Sequence, residues 1–260
     1  MQPNKHPRDR FITVFGRKPV LEVLQTPDIK IDKIFIVKNA KGELIEEIFA
    51  ACRQLGIEPL KSTAAEVSKI SKSPTQDQGI AADVIVPAMN DFEAYLYENQ
   101  NVEYQGIVAI DGVTTPANVG LIIRSCTGLG MTGILLPRKG ASSINSLVIK
   151  ASAGVIFKSP LLKCEQLPAA LAAAKKQGFR VYGLSLSPQA KNFYQVAQFA
   201  PKSIFIMGNE SLGISPQVAQ YVDEHLFVEM YNGVESLNVA CTASIVAAEW
   251  RRKTNILAKK

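Results

Sequence analysis

The sequence of 260 residues has few of the side chains that hold metals or form disulfides. It contains two histidines, His6 and His225, and four cysteines that lie far apart with no C-x-x-C spacing. Structural zinc sites and disulfide frameworks need closely spaced sets of these residues. The sequence therefore excludes a multi-histidine metal site. We expect no metal, and reduced cysteines that pack as small core residues.

The sequence also lacks a long apolar run and a signal-peptide pattern. None of its apolar segments approaches the roughly 18 residues of a membrane helix, and no apolar stretch follows the basic N-terminus. Its 47% hydrophobic and 20% charged residues are typical of globular proteins. We expect a cytoplasmic protein with no membrane partner, built from one large or two modest domains.

The positive charge is concentrated at the two ends of the chain. Residues 1–18 hold five basic side chains and one acidic, and residues 251–260 hold five basic and none acidic, although the net charge is only +6. Basic ends suit a polyanion such as RNA, because Lys and Arg near phosphates release counterions. Solubilising tails have the same composition, so charge alone leaves both interpretations open. Residues 1–10 are predicted to be a disordered basic tail.

Short apolar strands alternate with helical patterns, which predicts an α/β fold with mostly parallel sheets. Residues 11–88 form a first predicted domain, and the acidic residues 89–105 are interpreted as a linker that contains one helix followed by a loop. Residues 106–260 form the second domain. Strands are predicted at 33–37, 57–60, 80–86, 106–110, 133–136, 179–184 and 203–207, and helices at 116–129, 166–177 and 237–252.

The first candidate site follows the strand at 106–110, where Asp111 opens a segment that contains Asn118 and Arg124. Ligands of α/β sheets bind beyond the carboxyl ends of strands, so a site is expected here. A helix that starts at Pro116 places Asn118 and Arg124 at different azimuths, and they need not contact one ligand directly. Arg124 has apolar neighbours and requires a partner, either a structural salt bridge or a phosphate or ribose ligand.

The second candidate site is the loop from Gly208 to Gly213, which contains Asn209 and Glu210. Its glycine spacing imitates the start of a P-loop, but Ile214 stands where the phosphate-binding lysine is needed, so nucleotide hydrolysis is not predicted. The bare backbone of this loop suits an adenosine-sized ligand, with Glu210 available to hydroxyls or to a positive charge. A simple turn is the alternative interpretation.

The third candidate site is the segment from Val228 to Asn238, interpreted as a short strand, a loop and the start of the longest helix. Ser236 is predicted to cap that helix, and Asn238 to lie in its first turn, where free N–H groups attract polar ligand atoms. Asparagine is a poor helix former, which favours a functional role for Asn238. No G-x-S-x-G elbow occurs, and His225 is interpreted as a structural histidine.

Taken in this order, the three segments resemble the signature motifs of the SpoU (TrmH-like) family of RNA ribose 2′-O-methyltransferases. The motifs correspond to residues 111–125, 207–213 and 234–239, with 150–154 between them. Residues 15–24 and 78–81 are similar to the RNA substrate-binding domain, of L30e-like fold, that many members carry. The resemblance runs from residue 11 to residue 253, and it is closest to the branch that methylates guanosine ribose in 23S ribosomal RNA.

The resemblance implies a SPOUT-class methyltransferase domain whose C-terminal segment is tied into a deep trefoil knot. In the family this knot binds S-adenosylmethionine in a bent form, largely through backbone groups. The resemblance gives this role to Gly208, Asn209, Val228, Met230 and Leu237. It also implies a homodimer in which the target ribose is bound across two subunits.

The resemblance further implies that Arg124 acts on the ribose 2′-hydroxyl. A guanidinium stays protonated in proteins, so we favour a role in orienting the hydroxyl and a neighbouring phosphate, while the phosphate or water accepts the proton. The remaining catalytic assignments are Asn118 in the hydrogen-bond network of the site, and Glu210, Ser236 and Asn238 in positioning substrate and cofactor.

Two residues depart from the family's pattern. Glu229 stands where proline is usual, which bears on the edge of the cofactor strand, and Asp77 stands where histidine is common, which bears on the choice of RNA.

Two other functions stay open: a methyltransferase that acts on transfer RNA, and an RNA-binding module of the same fold without catalysis. The presence of all five assigned catalytic residues favours an enzyme, because RNA binding alone would not require them.

Overall fold

The computed structural model describes residues 11–26, 29–85, 89–138, 141 and 144–254. The basic tail predicted at residues 1–10 and the last six residues lie outside this part of the chain. Two compact units are present, one made of residues up to 87 together with 144–158, and the other made of residues 88–143 and 159 onward. Within the described ranges, no helix has the length and hydropathy to cross a membrane. Nor do the same ranges bring three His, Cys, Asp or Glu side chains together as a metal site.

The first unit contains a four-stranded sheet with the order β1-β4-β2-β3. Strand β4 is antiparallel to β1 and β2, whereas β3 is parallel to β2. The elements are β1 (Phe11–Phe15), α1 (Arg17–Gln25), β2 (Ile31–Val37), α2 (Glu43–Leu55), β3 (Leu60–Ser62), α3 (Ala64–Ser71) and β4 (Ile80–Ile85). Gly56 ends α2 in the left-handed conformation, which glycine adopts without strain.

Two features of this unit differ from the prediction. The strand expected at 57–60 lies at Leu60–Ser62, and α3 was not predicted at all. Helix α3 is short and buries only Val67 and Ser71, so its apolar periodicity is weak. Its start is marked by a capping box, in which Thr63 and Glu66 bond to each other's backbone N–H groups.

The second unit is built on eight strands that are parallel in every pair, in the order β10-β12-β9-β11-β6-β7-β8-β5. Its strands are β5 (Asn90–Asp91), β6 (Gln105–Ile110), β7 (Gly133–Pro137), β8 (Leu161–Cys164), β9 (Arg180–Leu184), β10 (Lys191–Asn192), β11 (Lys202–Met207) and β12 (Glu224–Phe227). Its helices are α4 (Phe92–Glu98), α5 (Pro116–Gly128), α7 (Leu167–Lys176), α8 (Pro216–Ala219) and α9 (Val239–Lys253).

The interpretation of residues 89–105 as a linker is wrong for residues 90–98. Strand β5 pairs with β8, and Asp91 caps α4 by accepting from two backbone N–H groups. Phe92 and Leu96 are buried in the main core of the second unit, with Leu162 and Leu171. The helix expected in this stretch is present as α4, and its acidic side chains lie on the exposed face.

Residues 144–158 also differ from the predicted domain boundary, because they belong to the first unit. They form α6 (Ser146–Ala151) and a 3₁₀ turn (Val155–Lys158), with Ile149 and Ile156 buried. Gly154 lies so close to Thr26 that a β-carbon would collide with its methyl group. A segment can thus be distant in sequence from the domain with which it packs.

Helices cover both faces of the parallel sheet. On one face α9 packs against α5, β6 and β11, and its Trp250 ring fills the space beside Gly106. On the other face α7 packs on alternate residues of β6 and β11, among them Ile107 and Ile204. The register pairs Ile110 with Met207 and Leu184 with Leu226, so the carboxyl ends of β6, β11, β9 and β12 lie along one edge. The loops that leave this edge contain the predicted site residues.

Candidate functional site

The loops that follow β6 and β11 are joined at their bases by Asp111. Its carboxylate accepts hydrogen bonds from the backbone N–H of Ser215 at 2.7 Å and from the Ser215 hydroxyl at 3.2 Å. The backbone N–H of Asp111 donates to the carbonyl of Met207. Since Asp111 and Ser215 are 104 positions apart, these bonds fix two distant segments against each other. We call residues 111–118 and 208–215 the braced loops.

Asn209 forms the second connection between the braced loops. Its side-chain amide donates to the carbonyl of Gly112 at 2.8 Å, and its side-chain oxygen accepts from the N–H groups of Ser211 and Leu212. Its backbone N–H and carbonyl both bond to Gly213. The hydrogen-bonding groups of Asn209 are therefore already engaged in holding the loop.

Gly208 lies where the loop folds tightly back on itself. A β-carbon at this position would lie 2.5 Å from the carbonyl carbon of Gly213 and 2.7 Å from the nitrogen of Ile214. Real β-carbons do not approach backbone atoms that closely, so only glycine fits. The structure gives a physical reason for this glycine that the spacing of the motif alone could not provide.

Three predicted site residues meet in one chain of hydrogen bonds. The side-chain amide of Asn118 donates to the Glu210 carboxylate at 2.5 Å, and the side-chain amide of Asn238 donates to the Asn118 oxygen at 3.0 Å. The Asn238 oxygen accepts from the backbone N–H of Ala240 at 2.8 Å. A carboxylate can only accept here, so the direction of every bond in the chain is set. The network unites α5, the loop after β11 and the start of α9.

The prediction for the start of the last helix is wrong in its details. Asn238, not Ser236, is the N-cap of α9, and the helix proper begins at Val239. Asparagine is as good a cap as serine, so the sequence offered two candidates two residues apart. Ser236 is exposed and makes no hydrogen bond within the described ranges. Asn238 thus has both a structural role and a place in the network.

Arg124 lies on the exposed side of α5, whose opposite side buries Val119, Ile122 and Cys126. It forms neither an ion pair nor a hydrogen bond with any residue that the structure describes, so the structural salt bridge we considered is absent from that part of the chain. Burial raises the pKa of the neighbouring Cys126 thiol to about 12, which keeps the thiol neutral. Helix α5 thus presents the Arg124 guanidinium, which has no partner in the described ranges, beside a well-packed apolar face.

The segment that follows β12 has a different character from the braced loops. The strand ends at Phe227, so Val228 and Met230 lie beyond it, in a segment without regular secondary structure, and not in the predicted strand. Residues 231–238 are all exposed, including Leu237 at 39% and Tyr231 at 69%. We call residues 228–237 the open segment.

One pair of residues at this edge was missed by the sequence analysis. Ser185, directly after β9, has its hydroxyl 2.8 Å from Nδ1 of His225 in β12. Its backbone N–H donates to the carbonyl of Leu226. The position of Ser185 immediately after a buried strand was the available signal. The pair ties β9 to β12, which agrees with the interpretation of His225 as structural.

Comparison with known proteins identifies two matching family models. The model described as "SpoU rRNA Methylase family" matches residues 105–248, which is more than half of the chain. The model described as "RNA 2'-O ribose methyltransferase substrate binding" matches residues 13–87.

Individual relatives match over nearly the whole chain. A protein from Staphylococcus saprophyticus, assigned by its description to the TrmH family of tRNA/rRNA methyltransferases, is 27% identical over 96% of this chain and 98% of the relative. A solved structure from Porphyromonas gingivalis, described as an RNA methyltransferase of the TrmH family, has 26% identity and a TM-score of 0.67, covering 94% of this chain and 91% of that one. The SpoU methyltransferase AviRb from Streptomyces viridochromogenes, solved with AdoMet, is similar in fold, with a TM-score of 0.70, 18% identity and coverage of 98% and 95%.

Proposed function

Because this chain belongs to the SpoU rRNA methylase family, we propose that it transfers a methyl group from S-adenosylmethionine to a ribose 2′-hydroxyl of RNA. The observation that carries the proposal is the hydrogen-bonded chain of Asn238, Asn118 and Glu210. It joins the three motif segments at the carboxyl edge of the sheet, where α/β proteins bind their ligands. The match of residues 13–87 to an RNA substrate-binding model supports RNA as the partner.

The residues at this edge suit S-adenosylmethionine, which has an adenosine, a sulfonium cation and no phosphate. Gly208 brings the loop backbone close, and the half-buried Val228 and Met230 together with Leu237 offer apolar surface. No Lys or Arg stands in the loop from Gly208 to Ser215. Arg and Lys are common partners of phosphate groups, and this donor has no phosphate to bind.

We assign the holding of the donor to Gly208, Asn209, Val228, Met230 and Leu237. Asn209 contributes by fixing the backbone of its loop, since its own side chain bonds to Gly112, Ser211 and Leu212. When bound, S-adenosylmethionine supplies an activated methyl group on a positively charged sulfur. The protein's task is then to bring a ribose oxygen into line with that methyl group and to exclude competing water.

Arg124 orients the RNA in this proposal. Its guanidinium is exposed and has no partner in the described ranges, so all five of its N–H donors are available to a phosphate and to the ribose 2′-hydroxyl. The planar fork suits bidentate contacts with phosphate oxygens. Because Arg124 stays protonated, the phosphate or a water molecule accepts the hydroxyl proton.

Glu210, Asn118 and Asn238 position the reacting groups, and Ser236 is available to the substrate. Asn118 occupies one oxygen of the Glu210 carboxylate, which leaves the other oxygen open to a ribose hydroxyl. The network holds this carboxylate before any ligand arrives. Such preorganisation lowers the reorganisation needed at the moment of transfer.

We also propose the chain path and assembly that the family resemblance implied. Strand β11 is inserted between β6 and β9, and the chain then passes beyond β9 to β12, an order that supports a trefoil knot around the donor loops. Exposed apolar side chains such as Leu121 and Leu237 support a homodimer that uses α5 and the open segment. A cytoplasmic location follows from an RNA substrate of the ribosome.

The RNA we propose is large-subunit ribosomal RNA. The description of the matching family and the separate substrate-binding domain support it. The test is to map ribose 2′-O-methylation across total RNA from cells with and without the gene. Loss of one modification in large-subunit RNA is the expected result. Loss of a transfer RNA modification would favour the alternative substrate, and donor binding without any lost modification would favour a non-catalytic RNA-binding module.

A further inference from the structure

The open segment begins with four residues that alternate in exposure. Val228 and Met230 are half-buried, whereas Glu229 and Tyr231 are exposed. This alternation indicates that Glu229 and Tyr231 share one side of the segment and the two apolar residues share the other. The two apolar residues are those assigned to the methyl donor.

Glu229 has contacts on its own side of the segment. Its carboxylate accepts a hydrogen bond from the side-chain amide of Asn192 at 3.1 Å. A hydrogen bond to the Glu229 carboxylate also raises the pKa of the Tyr231 phenol, which keeps the hydroxyl protonated and donating. One carboxylate thus connects the open segment both to β10 and to its own next turn.

Behind Glu229 there is a cavity where packed side chains would otherwise support the segment. It has a volume of about 970 Å³ and is lined by residues that include Asn192, Phe227 and Glu229. Its nearest cations, Arg180 and Lys191, both pair with Glu224. On this side the hydrogen bond from Asn192 to Glu229 connects the segment to β10.

Asn192 is a firm anchor for such a bond. Its side-chain oxygen accepts from the backbone N–H of Tyr194 and caps the 3₁₀ turn at Phe193–Gln195. That turn is held in place by Lys253 of α9, whose buried ammonium donates to the carbonyls of Tyr194 and Val196. Glu229 is thus connected through Asn192 and the 3₁₀ turn to α9, whose other end carries Asn238.

We propose that Glu229 is a positioning residue for the methyl donor. Through its hydrogen bond with Asn192, it holds the open segment so that Val228 and Met230 face the donor. This role rests on the proposed function, because it needs a donor at the carboxyl edge. Glu229 contacts neither the donor nor the ribose in this account, so its removal weakens donor binding and leaves the transfer step itself intact.

The test compares Glu229→Ala with Glu229→Gln by calorimetry with S-adenosylhomocysteine and by methyl-transfer kinetics. Losing one hydrogen bond to a charged group predicts a Kd and a KM for the donor that rise about 3- to 10-fold in Glu229→Ala. The kcat at saturating donor should change less than about twofold, since only binding is affected. Glu229→Gln keeps an acceptor oxygen for both partners and should stay within about twofold of the wild type.

A swap of donor and acceptor makes the test specific for this bond. Asn192→Asp keeps the cap on Tyr194 but turns the donor into a carboxylate that repels Glu229, so donor binding should weaken at least as much as in Glu229→Ala. Adding Glu229→Gln to Asn192→Asp restores a donor opposite an acceptor, and the double variant should recover most of the lost affinity. Glu98→Ala, which removes an exposed carboxylate of α4, is the control that should change nothing.

Thermal melting of each variant checks that the fold is kept. Donor binding by Glu229→Ala equal to that of the wild type would overturn the positioning role, as would a double variant no better than Asn192→Asp. A wild-type protein that binds neither S-adenosylmethionine nor its product would overturn the proposed function itself, and the role of Glu229 with it.

Discussion

The braced loops and the open segment lie along the same edge of one sheet, yet they are held in different ways. In the braced loops, side-chain hydrogen bonds join segments that are about 90 to 105 positions apart. These bonds are formed by Asp111, Asn209 and Asn118. In the open segment every residue from 231 to 237 is exposed. A cavity lies next to Glu229 of this segment.

The difference indicates a division of labour. The braced loops form a half whose shape is held without a ligand, because the side chains of Asp111, Asn118 and Asn209 bond within the protein. The open segment exposes Tyr231, Val234 and Leu237, whose apolar surface remains to be covered. A donor, an RNA and a second subunit are the partners we propose for that surface.

The largest effect on methyl transfer is expected at Arg124, which lies in α5, outside both the braced loops and the open segment. Arg124→Ala should lower kcat about 10²- to 10³-fold, the range typical of removing one preorganised group that acts on the reacting atoms. Its melting temperature should match the wild type, since the side chain has no partner in the described ranges. Arg124→Lys, assayed in parallel, keeps the positive charge and removes the planar guanidinium. Near-normal transfer by the lysine variant would contradict the proposed role.

Glycine substitutions separate the two regions by stability. Gly208→Ala should lower the free energy of unfolding by about 3 kcal/mol, because its β-carbon would overlap the backbone at Gly213 and Ile214. Gly233 has φ of 73° and nothing within 4 Å of a β-carbon, and Asn tolerates that conformation. Gly233→Asn should therefore cost less than about 1 kcal/mol. Urea denaturation measures both values. Equal losses of unfolding free energy in the two variants would contradict the proposed difference between the regions.

The same contrast applies to polar side chains. Asn209→Ala removes three side-chain hydrogen bonds in the braced loops, which should cost about 1–3 kcal/mol of unfolding free energy. Ser236→Ala in the open segment removes an exposed hydroxyl and should stay within about 0.5 kcal/mol of the wild type. A destabilised Ser236→Ala variant would mean that the open segment is held more firmly than we describe.

The last prediction concerns the pH dependence of stability that comes from the buried thiol of α5. The pKa of Cys126 is raised by burial from 9.0 to about 12, so above pH 9 the unfolded chain loses this proton before the folded chain does. The thiol therefore stabilises the fold below pH 9, and that contribution is lost as the pH rises toward about 12. Unfolding free energies measured from pH 8 to 11 should fall less steeply for Cys126→Ala than for the wild type. Identical slopes would contradict the burial of this group.

The sequence predicted the main strands and helices around the site because their apolar periodicity is strong. The strand at Gln105–Ile110, the helix at Pro116–Gly128 and the strand at Lys202–Met207 were all expected within one residue of their bounds. Ligand loops after buried parallel strands followed from the general geometry of such sheets. The candidate residues Asn118, Glu210 and Asn238 lie in one chain of hydrogen bonds.

What the sequence could not predict depends on contacts between distant positions. The cap of α9 was assigned to Ser236 and not to Asn238 because both residue types are good caps, and only packing selects the residue at which α9 begins. The linker prediction failed for residues 90–98 because the pairing of β5 with β8 joins residues about 70 positions apart. The Asn192–Glu229 bond has no local signal, since both residues are ordinary surface polar residues in the sequence.

The central claim is that the carboxyl edge of the parallel sheet delivers a methyl group to a ribose oxygen of RNA. The direct measurement is to incubate the purified protein with S-adenosylmethionine carrying an isotope-labelled methyl group and with ribosomal RNA from cells that lack the gene. The RNA is then digested to nucleosides for mass spectrometry. The account predicts label on a single 2′-O-methylated nucleoside, which is lost in the Arg124→Ala variant. Label on a nucleobase, or transfer that is unchanged by Arg124→Ala, would contradict it.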